Sequence, residues 1–100
     1  MAIDPALHAP ARLQIAAVLA KVSEAEFATL REIVDVSDSV MSKHLSALAE
    51  AGYVRLRKAP LDGRQRTWAS LTGAGRKAFK AHMAALHELV ASAQRAVGPD

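Results

Sequence analysis

Apolar positions recur at two different periods along this chain, and the change of period sets out its architecture. Leu7, Leu13, Ile15, Val18, Leu19 and Val22 stand among alanines over residues 7 to 22 in a mainly helical pattern, in which Pro10 is tolerable only within the first turn. Phe27, Leu30, Ile33 and Val34 predict a short second helix from about Ala28 to Val34. Its start has two readings, because Ser23 and Glu26 have capping-box spacing while Glu26-Phe27 fits a short strand. Ser37, Asp38 and Ser39 are N-cap candidates directly before a third helix over Val40 to Ala51, with Gly52 where a helix commonly stops. The period then drops to two. Tyr53-Val54-Arg55-Leu56-Arg57 alternates, Pro60-Leu61-Asp62-Gly63 is turn chemistry, and Thr67-Trp68-Ala69-Ser70-Leu71 alternates again, which predicts a β-hairpin. Thr72 caps a final helix running to about Ala96, ended by Gly98 and Pro99.

The third helix has an unusual polar side. Met41, Leu45, Leu48 and Ala49 fall together and form a buried stripe. Opposite them lie Ser39, Val40, Lys43, Ser46 and Ala47, with Ser42 and His44 on the flanks. An ordinary solvated helix fills such a side with Glu, Lys, Gln and Arg. A side this slender fits a major groove about 12 Å wide, where Ser hydroxyls, a Val methyl and one Lys meet base edges. The plainer reading makes Ser37, Ser39, Ser42 and Ser46 caps and neutral surface. A short helix just before it, joined through Asp35 to Asp38, completes a helix-turn-helix and favours DNA.

Charge changes the picture by its distribution more than by its sum. Residues 1 to 36 carry three basic and five acidic side chains, whereas residues 37 to 71 carry Lys43, Arg55, Arg57, Lys58, Arg64 and Arg66 against Asp38, Glu50 and Asp62. The cluster from Arg55 to Arg66 has the density of a surface that meets phosphate, although a solvated hairpin edge accounts for it equally well on charge alone. Arg64 and Arg66 project from the second strand while Thr67, Ala69 and Leu71 take the inward parity. Guanidinium groups on such a tip enter a minor groove or hold phosphates bidentately. Asp62 is expected to fold the turn through its own backbone or to steer Arg64 or Arg66, and Trp68 to pack on a neighbouring helix.

Composition removes several classes. A length of 100 residues is one domain's worth, and 22 of the 51 apolar residues are alanine, so the core is thin and a partner surface is expected. The longest apolar run, Ile15 to Ala20, is six residues where a bilayer span needs about 20, and the start lacks a basic cluster leading into an apolar stretch, so a cytoplasmic address without membrane contact is expected. Without cysteine there is no disulfide, thiolate zinc site, cysteine nucleophile or thiol sensor. His8, His44, His82 and His87 do not make a metal set: His82 and His87, five apart, diverge by about 140°, which leaves open only a site shared across a dimer. No phosphate-cradling loop, nucleophile elbow or paired carboxylates occur, and Ser42 and His44 diverge on their helix, so no enzyme activity, cofactor or metal is expected.

Three blocks carry a family resemblance: Met41-Ser42-Lys43-His44-Leu45-Ser46-Ala47-Leu48 running into Ala51-Gly52-Tyr53-Val54, then Asp62-Gly63-Arg64-Gln65-Arg66-Thr67, then Leu71-Thr72-Gly73-Ala74-Gly75-Arg76. In that order they resemble the winged helix-turn-helix transcriptional regulators, closest to the small MarR-like group and overlapping the ArsR type, over about residues 7 to 90. The resemblance implies a mainly α (α+β) domain over residues 1 to 100, with a three-helix core and β-hairpin wing in residues 7 to 71 and a dimerisation helix in residues 72 to 97. It makes residues 38 to 51 the recognition helix and 53 to 71 the wing, with Ser39, Val40, Ser42, Lys43 and His44 as DNA contacts and Arg64 and Arg66 at the wing. Ser46, Arg55, Arg57 and Lys58 join that set from their exposure and charge. The chain is shorter than the usual MarR type, which removes the basis for its usual ligand pocket, and it lacks the cysteines common in ArsR-type metal sensors.

The last helix supplies the expected assembly. Phe79, Met83, Leu86, Val90, Ala93 and Val97 follow spacings of 4, 3, 4, 3 and 4, an a/d seam that Leu7, Ile15 and Leu19 of the first helix would extend across a homodimer, although a wholly intramolecular core also accommodates it. The function expected is sequence-specific binding of double-stranded DNA as a homodimer. Repression is expected from the lack of a further domain to recruit polymerase. A winged-helix protein-interaction module is the alternative, disfavoured by the lack of aromatic anchors on the third helix. A small-molecule effector, if one exists, would use an apolar crevice between the first and last helices or the dimer seam.

Overall fold

Two prolines organise the N-terminal segment of the computed structural model, which describes residues 3–98. Asp4 caps α1 (Pro5–His8), its carboxylate accepting from the Ala6 N–H at 2.9 Å, and Pro5 sits in the first turn where a missing N–H costs nothing. A proline drives the residue before it out of the helical region, and Ala9 is accordingly extended (φ −63°, ψ 133°) before α2 (Pro10–Leu19). The single helix expected over residues 7 to 22 is therefore two, beginning earlier and ending at Leu19. Val22 is left exposed. The Arg76 guanidinium, from the first turn of the last helix, donates to the carbonyls of Ala20 and Val22 at 3.4 and 3.3 Å, where the chain leaves α2.

The strand reading of Glu26 holds in part: β1 (Ala25–Glu26) leads directly into α3 (Phe27–Val34), with no capping bond from the Glu26 side chain. Asp35 ends α3 in the left-handed region (φ 58°), and the Ser37 hydroxyl accepts from the Val40 N–H to start α4 (Asp38–Glu50). Arg31 reaches across the turn to Asp38 at 2.9 Å, tying one helix to the other. At the far end of α4, Tyr53 N–H donates to the Leu48 carbonyl at 2.9 Å and Gly52 N–H to that of Ala49 at 3.0 Å, the two bonds of a Schellman motif. That motif requires a left-handed residue, which Gly52 provides (φ 82°).

The hairpin follows at once. β2 (Val54–Leu61) and β3 (Arg64–Leu71) pair antiparallel around Asp62-Gly63, both at positive φ (52° and 76°), the two-residue turn whose twist matches the strands. β1 adds to the other side of β3, Ala25 opposite Ala69 and Glu26 opposite Trp68, giving the order β1-β3-β2. Val54, Ala69 and Leu71 close the core beneath Leu30, Met41, Leu45 and Leu48. Ala49, expected in the buried stripe of α4, is half-buried.

Thr72 begins α5 (Gly73–Val97), its hydroxyl accepting from Gly75 N–H at 2.9 Å and donating to the Gly52 carbonyl at 2.6 Å. Gly98 ends it as expected, while Pro99 lies outside the described residues. The helix outruns the core, so the molecule measures 61 × 25 × 21 Å. One expectation for the seam is corrected here. Leu7, Ile15 and Leu19 are wholly buried in the chain's own core and present nothing to a partner, because α1 and α2 pack against α4 and the sheet. His82 takes the second of its two expected places, a helix contact: it is fully buried, its ring meets that of His8 of α1 with centroids 5.8 Å apart, and its Nδ1 accepts from the Asp4 N–H at 3.1 Å. Met83, Val90 and Val97 are exposed, whereas Phe79 and Leu86 are half-buried, Phe79 against the core.

A Cβ built on Gly75 would lie 2.1 Å from the Tyr53 carbonyl oxygen, closer than any relaxation of one side chain can relieve, because the obstacle is backbone. In an open helix Gly→Ala gains about 1 kcal/mol. Here Gly75→Ala is expected to destabilise by about 1–3 kcal/mol through overpacking, read as a lowered denaturation midpoint. A rise in stability would show that α5 does not rest on Tyr53.

Candidate nucleic-acid interface

Burial of Met41, Leu45 and Leu48 against the core turns the other side of α4 to solvent. Ser39, Val40, Ser42, Lys43 and Ser46 are all exposed there, and Ser37 caps the helix while its hydroxyl also meets that of Ser39 at 3.2 Å. Five short or single-charged side chains on one open helix surface leave room for another molecule's backbone to approach. His44 is placed differently from the rest. It is half-buried on the flank, and its Nδ1 accepts from Arg12 Nε–H at 3.2 Å.

Strand alternation divides the basic cluster of the hairpin. Val54, Leu56 and Lys58 face the same way as Leu71, Ala69 and Thr67, toward α4, and Lys58, Thr67, Ser42 and Ser46 line one cleft of about 440 Å³. Arg55, Arg57, Arg64 and Arg66 project from the other face. Two of these four are engaged. Arg57 meets Glu24 at 2.5 Å and Arg66 meets Glu26 at 2.5 Å, so the carboxylates just before α3 neutralise half of that row. Glu26, rather than Asp62, steers Arg66; Asp62 forms the turn. The Arg57 guanidinium also lies over the Trp68 ring, 5.9 Å from its centroid. Trp68 thus pairs with Glu26 of β1 and has an arginine over its ring.

Arg64 at the tip and Arg55 near the base are exposed and carry no ion pair among the described residues. A second cleft of about 530 Å³ joins Arg64, Gln65, Arg66 and Thr67 to Ser42 and Asp38 of α4. Helix surface and wing therefore share a continuous concave wall. Gln65 lines this wall and was missed from sequence because a neutral residue carries no charge signal; Arg12, which reaches His44 on the other flank of α4, was missed because it comes from a different helix. The apolar crevice expected between first and last helices is present between α2 and α5, about 370 Å³, lined by Pro10, Leu13, Gln14, Ala17, Phe79 and Met83. Among the described residues no three His, Asp or Glu side chains converge on a metal-sized site, and no helix is long and apolar enough to cross a membrane.

Burial pushes the His44 imidazole below its ordinary value, and the neighbouring Arg12 cation pushes the same way. In acid the unfolded chain therefore takes up this proton first, so the contribution is complete above about pH 6.5 and is lost as pH falls through the depressed folded value. His44→Gln is expected to flatten the fall in denaturant midpoint between pH 7 and 5 relative to wild type. Parallel curves for the two proteins would remove the effect.

Comparison with known proteins agrees with this geometry. The model of a winged helix DNA-binding domain matches residues 11–90. An uncharacterized protein of Methanocaldococcus jannaschii is 36% identical over 69 residues, covering 69% of this chain and 75% of its own. The structure of a transcriptional regulator homologue from Pyrococcus horikoshii superposes with a TM-score of 0.81 at 25% identity, over 87% of this chain and 86% of that one. A MarR-family regulator structure from Enterococcus faecalis shares the fold at a TM-score of 0.75 and 18% identity, over 92% and 83% of the two chains. A helix-turn-helix of α3 and α4, an antiparallel hairpin beside it and a matched family model together establish that this chain belongs to the winged helix DNA-binding domain family.

Proposed function

We propose that this chain is a sequence-specific regulator of transcription that binds double-stranded DNA as a homodimer. In this reading α4 enters the major groove with Ser39, Val40, Ser42, Lys43 and Ser46, and the hairpin lies on the backbone or in the adjoining minor groove with Arg55, Lys58 and Arg64. The observation that carries the reading is the open, slender surface of α4 flanked by a hairpin with unpaired cations. Arg57 and Arg66 would contribute less than their charge implies, because Glu24 and Glu26 already hold them. A dimer seated in successive major grooves would exclude other proteins from the same stretch, which supports repression by occupancy.

Support for the dimer comes from α5. A helix of 25 residues is about 37 Å long at 1.5 Å per residue. Its distal half leaves Leu89, Val90 and Val97 exposed, with Met83 beside the α2 groove. These residues, with Leu86 and Ala93, form the revised seam. Two copies related by a two-fold axis along it would set their recognition helices about 34 Å apart, one turn of duplex. A small-molecule effector, as a proposal, would act at the α2–α5 groove, since a ligand there touches the helix that carries the seam.

Log affinity should fall with log salt by about 0.9 per neutralised phosphate, measured on a duplex enriched from random DNA. Arg64→Ala is expected to weaken binding alike on most sequences and to lower that slope, while Lys43→Ala changes the enriched sequence. Salt-independent binding, or identical sequence profiles for the two variants, would overturn the assignment. Assembly is checked separately by sedimentation. Wild type should be dimeric at micromolar concentration, and Val90→Glu combined with Val97→Glu, both at exposed positions, should be monomeric with unchanged helicity. A monomeric wild type, or a dimeric double variant, would refute the seam.

A further inference from the structure

The hairpin guards only one flank of α4, the side of Ser42 and Ser46. The other flank, beyond Val40, carries His44, and there an arginine arrives from another element. Arg12, the third residue of α2, donates its Nε–H to His44 Nδ1 across 32 residues of chain, and both side chains are half-buried. Because Nδ1 accepts, the ring proton of His44 sits on Nε2, which is then a donor. The pair offers hydrogens outward and no acceptor.

The company Arg12 keeps sets it apart from the other arginines. Arg31, Arg57, Arg66 and Arg95 each meet a carboxylate, Arg76 meets two carbonyls, and Arg55 and Arg64 stand open with no side-chain partner among the described residues. Arg12 bonds among the described residues through Nε alone, to a basic ring, and its two terminal nitrogens have no protein partner. A guanidinium fixed against an imidazole with no carboxylate between them is an arrangement that an anion completes. Fork geometry favours a phosphate, because the two free nitrogens of a guanidinium present parallel N–H groups at the spacing of two phosphate oxygens.

We propose that Arg12 and His44 form a phosphate clamp on the flank of α4 opposite the hairpin, gripping the DNA backbone on the far side of the groove that the helix enters. The clamp rests on the DNA-binding reading above. Arg12 contacts the phosphate; His44 positions Arg12 and adds its Nε2–H. With Arg64 and Lys58 on one flank and Arg12 on the other, the recognition helix is held from both sides, which fixes its rotation in the groove as well as its depth.

The test uses fluorescence anisotropy on two duplexes of equal length, one enriched from random DNA by the wild type and one of scrambled sequence. Arg12→Ala should weaken binding to both by about tenfold, the worth of one charge-assisted hydrogen-bonded contact, and make the salt slope shallower by about 0.9. Arg12→Lys should keep the slope and recover only part of the affinity, since it retains the charge without the fork. His44→Gln, whose amide oxygen accepts the same N–H, should retain clearly more affinity than His44→Leu, which loses that acceptor with the Arg12 charge intact. Arg12→Ala binding both duplexes with an unchanged slope would overturn the clamp, as would equal affinities for His44→Gln and His44→Leu. Should Arg12→Ala melt early, the Arg12→Lys and His44 comparisons decide on their own. A wild type without salt-dependent binding refutes the DNA reading and the clamp together, while a failure confined to the Arg12 and His44 variants refutes the clamp alone.

Discussion

Everything that projects from this domain is anchored at the three-way joint of Gly52, Tyr53 and Thr72. The last turn of α4 closes through Gly52 and Tyr53 N–H groups, the Tyr53 carbonyl accepts from Thr72 N–H at 3.0 Å, and Thr72 Oγ1 bridges the Gly52 carbonyl and the Gly75 N–H. Both ends of the hairpin and the start of α5 are thereby fixed to the end of α4 within a few residues. A chain with an alanine-rich core has little bulk with which to set the angles between its parts. Backbone hydrogen bonds at a joint need no large side chains, and the absence of a Cβ at Gly75 lets α5 lie directly on the Tyr53 carbonyl. The N-terminal segment ties onto the same residue, since the Tyr53 hydroxyl donates to Asp4 at 2.5 Å and Asp4 N–H donates to the buried His82 of α5. The hydrogen bond to the carboxylate holds the Tyr53 phenol above its ordinary value.

Charge is arranged by the same economy. A sequence count puts five cations between Arg55 and Arg66, but a strand sends neighbouring side chains to opposite faces. Lys58 alone of the five faces α4; of the others, two are matched by Glu24 and Glu26. The acidic balance of the first 36 residues thus has a structural destination. A pair such as Arg66 with Glu26, both largely covered, braces β1 against β3 while withholding that cation from a polyanion. A more exposed pair such as Arg57 with Glu24 contributes little to stability, so its main effect is on which charges remain outward.

The sequence made some of this legible and hid the rest for definable reasons. The slender side of α4, its cap at Ser37, its stop at Gly52 and the Asp62-Gly63 turn were readable because each depends on residues within one turn of helix or hairpin. Ala25 opposite Ala69 and Glu26 opposite Trp68 were not, because a two-residue strand has no period and its partner lies more than forty residues away. The Arg12–His44 contact is hidden for the same reason. The break at Ala9 was available in principle: Asp4-Pro5 is a cap with proline in the first turn, and Ala9-Pro10 repeats the proline signal five residues later, but alanine-rich apolar spacing masked both.

Apolar spacing fails in one further way, which bears on assembly. Leu7, Ile15 and Leu19 were read from helical spacing just as Met83, Leu86, Val90 and Val97 were, yet the first set is buried within the chain and the second is largely open. Periodicity reports that a stripe needs cover and says nothing of whose surface supplies it. Length does. The apolar stripe of a short helix such as α2, Ile15, Ala16 and Leu19, is covered by the chain's own core, whereas 25 helical residues extend the molecule to 61 Å and carry the end of α5 past every other element. For the proposed dimer the useful part of the seam is therefore its distal half, and the α2–α5 groove marks where intramolecular cover gives out.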